Sequence, residues 1–240
     1  MPDDHPPLID RFPVRIAEIR QETPSVRSFL LDYGDAPFRF RPGQWIELNA
    51  EVAGEHRNGG YSIVSTPRLH GRIQLAVKDT PYPSVSRMLH ADLRVGDELS
   101  ISAAQGGFVL EDQARPVVLL GGGIGVTPLV SMLRHIREEA LPIDATLVYS
   151  AAGPGDVLFR DELEQMAQAP NIRSLFTYTR TPGRPQDFFG RIDRTLLERI
   201  GMPENALYYF CGSREFIEDM SALLLGMGVA ESQLRCEKWW

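Results

Sequence analysis

The sequence predicts two domains: an N-terminal antiparallel β-barrel with one helix, followed by an α/β domain with a doubly wound parallel sheet. Three observations lead to this prediction. Up to about residue 110, short β-type runs are separated by turn residues. After about residue 113, apolar strands alternate with amphipathic helices. The length of 240 residues, at roughly 150 residues per domain, corresponds to between one and two domains.

The N-terminal half contains four segments with the pattern of strands, at 26–31, 44–48, 72–77 and 98–102. One helix is predicted at 84–93, where Val85, Met88 and Leu89 have helical spacing. Several short strands with a single helix are typical of a small antiparallel barrel.

The C-terminal half alternates strands with helices. Strands are predicted at 116–120, 145–149, 175–178 and 206–210, with a short last strand, and helices at 129–139, 160–167, 194–200 and 215–226. Apolar strands joined by helices form right-handed βαβ units, so a doubly wound parallel sheet is expected. The predicted organisation is a flexible segment 1–11, a barrel domain 12–112 and a nucleotide-type α/β domain 113–240.

Composition excludes several classes of function. The net charge of −7 makes a nucleic-acid partner unexpected, because phosphate contacts need a basic face. The two cysteines, Cys211 and Cys236, exclude both a disulfide framework and an iron–sulfur cluster held by four of the chain's own thiolates. The five histidines lack the spacing of metal ligands, so no metal site is expected.

No targeting or membrane segment is predicted. The first seven residues are acidic and proline-rich, without a basic or apolar leader. Every apolar run is far shorter than the about 20 residues that cross a bilayer. We therefore expect a cytoplasmic protein with no membrane partner, and the sequence leaves the oligomeric state open.

A glycine-rich loop carries the clearest chemical signal. The sequence Gly-Gly-Gly-Ile-Gly-Val-Thr-Pro at 121–128 follows an apolar strand and precedes a helix. Glycines allow close backbone approach, and free N–H groups with the helix dipole favour a pyrophosphate. Thr127 is predicted as the N-cap and Pro128 as the first helical residue. The predicted nucleotide-binding residues of the loop are Gly122, Gly123, Gly125, Thr127 and Pro128.

Two common phosphate loops do not match this segment. A Walker A loop needs Gly-Lys-Ser/Thr, whereas Val126 follows Gly125. The Rossmann spacing places Val126 or Pro128 where its third glycine belongs, and no acidic residue ends the next strand. The loop is therefore a dinucleotide loop of another type, or a glycine-rich turn that binds nothing.

Four further motifs occur in order along the chain: Arg-Pro-Gly-Gln-Trp at 41–45, Tyr-Ser-Ile-Val-Ser at 61–65, Cys-Gly-Ser at 211–213 and Glu-Lys-Trp-Trp at 237–240. Together with the glycine loop, they resemble the ferredoxin–NADP reductase superfamily over nearly the whole chain. The chain is most similar to a small group within it, described as NAD-binding-domain oxidoreductases.

The resemblance implies a flavin site on the barrel and a nicotinamide site on the sheet. Tyr61 would pack on the isoalloxazine, Ser62 would hydrogen-bond flavin N5, and Ile63 would lie beside them. Cys211 and Gly212, at a strand's carboxyl end, would lie near the nicotinamide. Ser62, Cys211 and Glu237 are the expected catalytic residues, and Trp239 or Trp240 would stack on the cofactor. Read singly, Tyr61 is equally an ordinary strand aromatic and Cys211 a small buried hydrophobe.

The flavin phosphate motifs depart from the family pattern. Gly59 stands where the family has an arginine, and Arg57 lies two residues upstream. The Gly-x-x-Ser element is replaced by Pro-Ser-Val-Ser at 83–86, which keeps Ser86 for phosphate and leaves Arg87 to supply the charge. The implied cofactor is FAD, with FMN as the alternative.

The nicotinamide preference has one clue. Thr179 and Arg180 end a predicted strand, with Arg184 and Arg191 close in sequence. The family's NADP users have a Ser/Thr-Arg pair at this point, and arginine suits a 2′-phosphate dianion. The sequence therefore favours NADP(H) over NAD(H). The alternative is that Arg180 is a solvated loop charge.

These features predict a flavin-dependent NAD(P)H oxidoreductase. Hydride would pass from NAD(P)H to flavin, and electrons would then pass to a separate ferredoxin, flavodoxin, free flavin or quinone. Two alternatives stay open: a degenerate flavoprotein acting as a regulatory or relay subunit, and a nucleotide-binding module without redox activity.

Overall fold

The computed structural model describes residues 10–52, 54–111 and 115–238, and these residues form two six-stranded sheets. The N-terminal sheet is antiparallel and the C-terminal sheet is parallel with helices on both faces, so the predicted fold class is confirmed. Residues 1–9 of the predicted N-terminal segment lie outside the described residues, and the first strand begins at Arg11. The predicted boundary at 112/113 falls within 112–114, which is also outside them.

The N-terminal sheet has the order β4-β3-β6-β1-β2-β5, and a bridge between Ile63 and Leu75 brings its two edges together like a barrel. Helix α1 covers Val85–Ala91. The strands are β1 (Arg11–Thr23), β2 (Val26–Asp32), β3 (Trp45–Val52), β4 (Glu55–Ser62), β5 (Arg72–Lys78) and β6 (Glu98–Ser102).

Strands β1 and β4 were not among the predicted strands. Strand β4 has the polar sequence EHRNGGYS, whose side chains are mostly exposed, so it lacks the apolar alternation of a half-buried strand. It forms because it pairs with β3 along its whole length, from Trp45 opposite Ser62 to Val52 opposite Glu55.

The C-terminal sheet has the order β10-β9-β8-β7-β11-β12. Alternate residues of β7 face opposite sides: Leu119 packs in the core that includes α2 and α3, and Leu120 in the core that includes α4 and α5. The strands are β7 (Val117–Gly122), β8 (Ala145–Ala151), β9 (Ile172–Tyr178), β10 (Phe188–Phe189), β11 (Leu207–Cys211) and β12 (Leu234–Cys236). The helices are α2 (Thr127–Glu138), α3 (Arg160–Met166), α4 (Arg194–Ile200) and α5 (Arg214–Gly226).

The two sheets share a core. Val64, Ala76, Phe108 and Leu110 from the N-terminal half pack in the same apolar cluster as helix α2. Within the described ranges, no helix is long and apolar enough to cross a bilayer. The same ranges contain no group of three His, Cys, Asp or Glu side chains arranged to hold a metal ion.

Candidate cofactor and nucleotide site

The glycine loop is a tight connection between β7 and α2. A 3₁₀ turn over Gly123–Val126 joins the two elements, and Gly123 has a φ of +54° with open space around it. A Cβ at Gly125 would lie 2.5 Å from the carbonyl oxygen of Cys211 and 2.5 Å from Cα of Gly212. The turn therefore lies directly on the end of β11, and only glycine fits at residue 125.

The predicted cap of α2 is wrong. Because the helical conformation already begins at the 3₁₀ turn, Val126 occupies the cap position and Thr127 is the first helical residue. The Thr127 hydroxyl donates to the carbonyl of Ile124 at 2.9 Å instead of capping the helix. Thr127 and Pro128 are both buried, and a direct contact of either with a nucleotide stays a prediction.

Phe216 fills the space between two glycines of the site. A Cβ at Gly122 would lie 2.8 Å from its ring, and a Cβ at Gly212 would lie 2.6 Å from it. Phe216 is in the first turn of α5, whose N-cap Ser213 accepts its backbone N–H at 3.2 Å. Phe216 is not among the residues predicted from the sequence. Its position four residues after Gly212 was the available signal, because helical side chains point back toward the N-terminus.

Cys211 and Glu237 end neighbouring strands. Cys211 is buried and is the last residue of β11. Phe210 pairs with Cys236 in the parallel register, so Glu237 lies one position further, beside Cys211. Cys211 therefore lies at a strand's carboxyl end, where the sequence placed it, and the catalytic roles of Cys211 and Glu237 stay predictions. Trp239 and Trp240 lie outside the described residues.

The Glu237 carboxyl group is buried and incompletely hydrogen-bonded. Its Oε2 has no hydrogen-bond partner among the residues that the structure describes, and its Oε1 would be 3.4 Å from a Cβ at Gly106. Burial raises the pKa of Glu237 from 4.5 to about 7. A carboxyl group with this pKa can hold a proton at neutral pH.

Ser62 reaches the same region from the barrel. It pairs directly opposite Trp45, so the two side chains lie on one face of the sheet. The Trp45 ring would be 2.8 Å from a Cβ at Gly106, the glycine that Glu237 also contacts. Ser62 is mostly buried, and its hydroxyl makes no hydrogen bond to any described residue. Ile63 is fully buried beside it and donates its N–H to the carbonyl of Gln44 at 2.9 Å.

Tyr61 lies along its own strand. A Cβ at Gly59 would be 2.5 Å from the Tyr61 hydroxyl oxygen. The Tyr61 ring therefore covers Gly59, the residue that stands where the family has an arginine. The Tyr61 hydroxyl is hydrogen-bonded to Ser86 Oγ at 3.0 Å. Burial raises the pKa of Tyr61 to about 12. The Ser86 hydroxyl, predicted to bind the flavin phosphate, is thus already hydrogen-bonded to Tyr61.

Arg87 is bound to a neighbour. Its guanidinium forms an ion pair with Asp79 at 2.5 Å, and its backbone N–H donates to Ser84, the N-cap of α1. Arg57 is paired with Glu55 at 2.8 Å. Both pairs are exposed, and such pairs contribute only about 0–1 kcal/mol, so either arginine can exchange its partner for a phosphate.

Arg180 differs from the two arginines near it. Thr179 and Arg180 follow β9 directly and are exposed, and the Arg180 side chain makes no hydrogen bond or ion pair with the described part of the chain. Arg184 is paired with Glu164. Arg191 contacts the carboxylates of α5.

The fold and the site together define a two-domain oxidoreductase with a flavin-type barrel and a pyridine-nucleotide-type sheet. The family model of the oxidoreductase FAD-binding domain matches residues 13–110, and that of the oxidoreductase NAD-binding domain matches residues 119–222. Oxidoreductase NAD-binding domain-containing protein 1 of Danio rerio is 31% identical, over 97% of this chain and 93% of that protein. The chain belongs to the ferredoxin–NADP reductase-like family, and the resemblance predicted from the motifs is confirmed.

Other relatives are longer than this chain. The glycine betaine monooxygenase reductase subunit of Chromohalobacter salexigens is 34% identical over 91% of this chain but 61% of its own length. The flavohemoprotein of Bordetella pertussis is 32% identical over 90% of this chain and 57% of its own length. Among solved structures, the FAD/NAD-binding domain of the nitric oxide dioxygenase from Vibrio cholerae has a TM-score of 0.86 at 24% identity, covering 94% of this chain and 97% of that one.

Proposed function

We propose that this protein transfers hydride from NAD(P)H to a flavin and passes the electrons to a separate acceptor. One observation carries the proposal. Glu237 Oε2 is a buried oxygen with no hydrogen-bond partner among the described residues. The other carboxylate oxygen of Glu237 lies near Gly106, which the Trp45 ring of the barrel approaches, and Ser62 stands opposite Trp45 in the sheet. An unsatisfied buried polar group costs about 1–3 kcal/mol, so a ligand that bonds to Glu237 Oε2 would stabilise this arrangement.

The residues of the site fit a flavin ring system. A flavin bound there would accept hydride and release electrons one at a time. The Ser62 hydroxyl, on the barrel, would donate a hydrogen bond to a flavin ring nitrogen. Glu237, at the end of the parallel sheet, would hold a proton. Cys211, buried beside the glycine turn, would shape the adjoining nicotinamide position and exclude water from it.

The proposed cofactor is FAD, supported by the match of the FAD-binding domain family to the barrel half. Arg87 would leave Asp79 to bind the pyrophosphate, since that ion pair is exposed and weak. FMN is the alternative because two expected contacts to the flavin phosphates are missing: the Ser86 hydroxyl is bonded to Tyr61, and Gly59 has no side chain.

NADP(H) is the proposed hydride donor. The 3₁₀ turn would place backbone N–H groups against the nucleotide pyrophosphate. Arg180 is exposed and unpaired within the described residues, as a contact to the 2′-phosphate requires. The Thr179 hydroxyl, 3.4 Å from the carbonyl oxygen of Ala151, lies at the same strand end.

The electron acceptor is proposed to be another molecule, because a chain with two cysteines cannot supply the four thiolates of an iron–sulfur cluster. The name of one relative, a monooxygenase reductase subunit, supports an acceptor on a separate protein. Cys211 and Cys236 form no disulfide within the described residues, which supports a reducing compartment such as the cytoplasm.

A spectrum of the purified protein with added FAD, FMN and NADPH tests the proposal. We expect one flavin to bind with a changed visible spectrum, and NADPH to bleach it under anaerobic conditions. A protein that binds NADPH but no flavin would instead be a nucleotide-binding module, and the proposal would be wrong.

A second candidate function is a flavoprotein subunit without independent turnover. The observation that favours it is the paired state of the flavin phosphate region, where Tyr61 bonds to Ser86 and Arg87 to Asp79. Bleaching too slow to sustain turnover, together with stable association with a partner enzyme, would support this second function.

A further inference from the structure

Helix α2 carries two polar side chains on a face that is otherwise apolar. Ser131 and Arg134 are three residues apart, so they lie on the same side of the helix. Ser131 is fully buried, and its hydroxyl donates to the carbonyl of Ser65 at 2.7 Å. Arg134 Nη1 donates to the carbonyl of Val64 at 3.1 Å. Both side chains therefore hold main-chain atoms of the barrel half.

Arg134 also joins two other elements. Its Nε and Nη2 bond the two carboxylate oxygens of Glu162 in α3, each at 2.7 Å. Its Nη1 donates to Gln74 Oε1 in β5 at 2.7 Å, and its guanidinium lies 4.8 Å from the centre of the Phe159 ring. A planar guanidinium held on several sides has little freedom, so the position of Val64 relative to α2 is tightly fixed.

The two ends of this connection belong to different parts of the candidate site. Helix α2 begins where the glycine turn ends, at Thr127. The carbonyls that it holds belong to Val64 and Ser65, two and three residues after Ser62. A helix is a rigid element, so these bonds set the distance between the glycine turn and the Ser62 hydroxyl.

We propose that Ser131 and Arg134 are positioning residues that align the nucleotide on the glycine turn with the flavin beside Ser62. The inference rests on the proposed hydride transfer. Neither residue is placed in contact with a cofactor, so their loss changes the transfer step and leaves cofactor affinity nearly unchanged. Hydride transfer depends steeply on donor–acceptor geometry, and a misplacement of about 1 Å can cost roughly 10²-fold in rate.

The test compares Ser131→Ala, Arg134→Gln and a control, Arg68→Gln. Arg68 also links the barrel half to α2, through the Glu139 carboxylate at 2.8 Å and the Glu138 carbonyl at 2.9 Å, but at the end remote from the glycine turn. Ser131→Ala removes a single oxygen atom, so it keeps the test decisive if Arg134→Gln does not fold.

The first readout is amide hydrogen exchange in the protein without cofactor. The Ile63 N–H is bonded to the carbonyl of Gln44 at 2.9 Å and the Val64 N–H to that of Gln74 at 2.8 Å. We expect both amides to exchange about ten-fold faster in Ser131→Ala and Arg134→Gln than in the unaltered protein or in Arg68→Gln, because local opening becomes easier.

The second readout is the anaerobic rate at which NADPH bleaches bound flavin. We expect it to fall about ten-fold in both α2 variants, with dissociation constants for flavin and NADPH within about two-fold of the unaltered protein. The inference would be overturned if the amide exchange rates and the bleaching rate were unchanged in both α2 variants. It would also be overturned if bleaching slowed equally in Arg68→Gln, or if weaker flavin binding accounted for the slower bleaching. If the unaltered protein is not bleached, the proposed function is refuted, and the inference falls with it.

Discussion

The carbonyl oxygen of Cys211 lies where a side chain at Gly125 would begin: a Cβ at residue 125 would be 2.5 Å from it. This contact joins the glycine turn to the end of β11, the two elements proposed to bind the nucleotide. The close approach is between backbone atoms, which cannot move aside as a flexible side chain can.

Replacing Gly125 tests this contact. We expect Gly125→Ala to lower the free energy of unfolding by about 1–3 kcal/mol, as overpacking does, and to raise the dissociation constant for NADPH several-fold. Chemical denaturation and titration with NADPH measure the two effects. Gly155→Ala is the matched control, because nothing lies within 4 Å of its Cβ position and its φ is not in the left-handed region. Equal behaviour of the two variants would show that the turn tolerates a side chain.

The buried carboxyl group of Glu237 predicts a pH-dependent stability. Its pKa is about 7 in the folded protein, against the ordinary value of 4.5 expected in the unfolded chain. Between pH 4.5 and 7 the folded state therefore binds more protons than the unfolded state. Stability therefore falls as the pH rises from about 4.5 to 7, by on the order of 2 to 3 kcal/mol from this group. Glu237→Gln removes the titration, so its free energy of unfolding should exceed that of the unaltered protein increasingly over this range.

Denaturant unfolding of both proteins at a series of pH values measures that difference. All other titrating groups are common to the two proteins, so their contributions cancel in the comparison. A difference that does not change with pH would contradict the burial of the Glu237 carboxyl group.

Arg180 predicts coenzyme preference. Arg180→Gln should raise KM for NADPH by roughly 10- to 100-fold and leave KM for NADH within about two-fold, because a charged hydrogen bond is worth about 1.5–3 kcal/mol. Steady-state reduction of flavin with each coenzyme measures both values. Arg184→Gln serves as the control, since that arginine is already paired with Glu164. An equal rise for both coenzymes in Arg180→Gln would show that this side chain does not read the 2′-phosphate.

The ion pair between Arg87 and Asp79 predicts opposite effects on flavin affinity. Arg87→Gln should weaken flavin binding several-fold, and Asp79→Asn should strengthen it, because the arginine then has no competing carboxylate. The amide of Asn keeps an oxygen for the Thr80 N–H, which now bonds to Asp79 at 2.8 Å. Fluorescence titration with FAD measures the flavin affinity of both variants. Glu98→Gln is the control, because Glu98 forms another exposed ion pair of the barrel. A loss of affinity in both variants would mean that the pair acts structurally.

The elements that the sequence predicted are those with a clear apolar pattern, either continuous or periodic. Strands 116–120 and 206–210 could be predicted because they are continuous apolar runs, as strands buried on both faces are, and α2 because its apolar residues recur at the helix period. Strand β4 could not be predicted, because its polar sequence has no strand pattern and it forms only through its pairing with β3.

The roles of the site residues stay predictions, but the positions of some of them in the fold could be inferred from the sequence. Cys211 lies at a strand end next to the glycine turn, as its place after an apolar strand implies, and the structure adds Glu237 beside it. The bonds of Tyr61 to Ser86 and of Ser131 to Ser65 join residues 25 and 66 positions apart, and only the folded chain brings such residues together.

The most direct test of the account is anaerobic stopped-flow bleaching of the flavin-loaded protein by NADPH, with hydrogen or deuterium at the transferred position of the nicotinamide. We predict single-turnover bleaching of the bound flavin that is slower with deuterium, because the bond to that atom breaks as hydride moves toward the flavin beside Ser62. Bound flavin that NADPH does not bleach, with both molecules shown to be bound, would contradict the account.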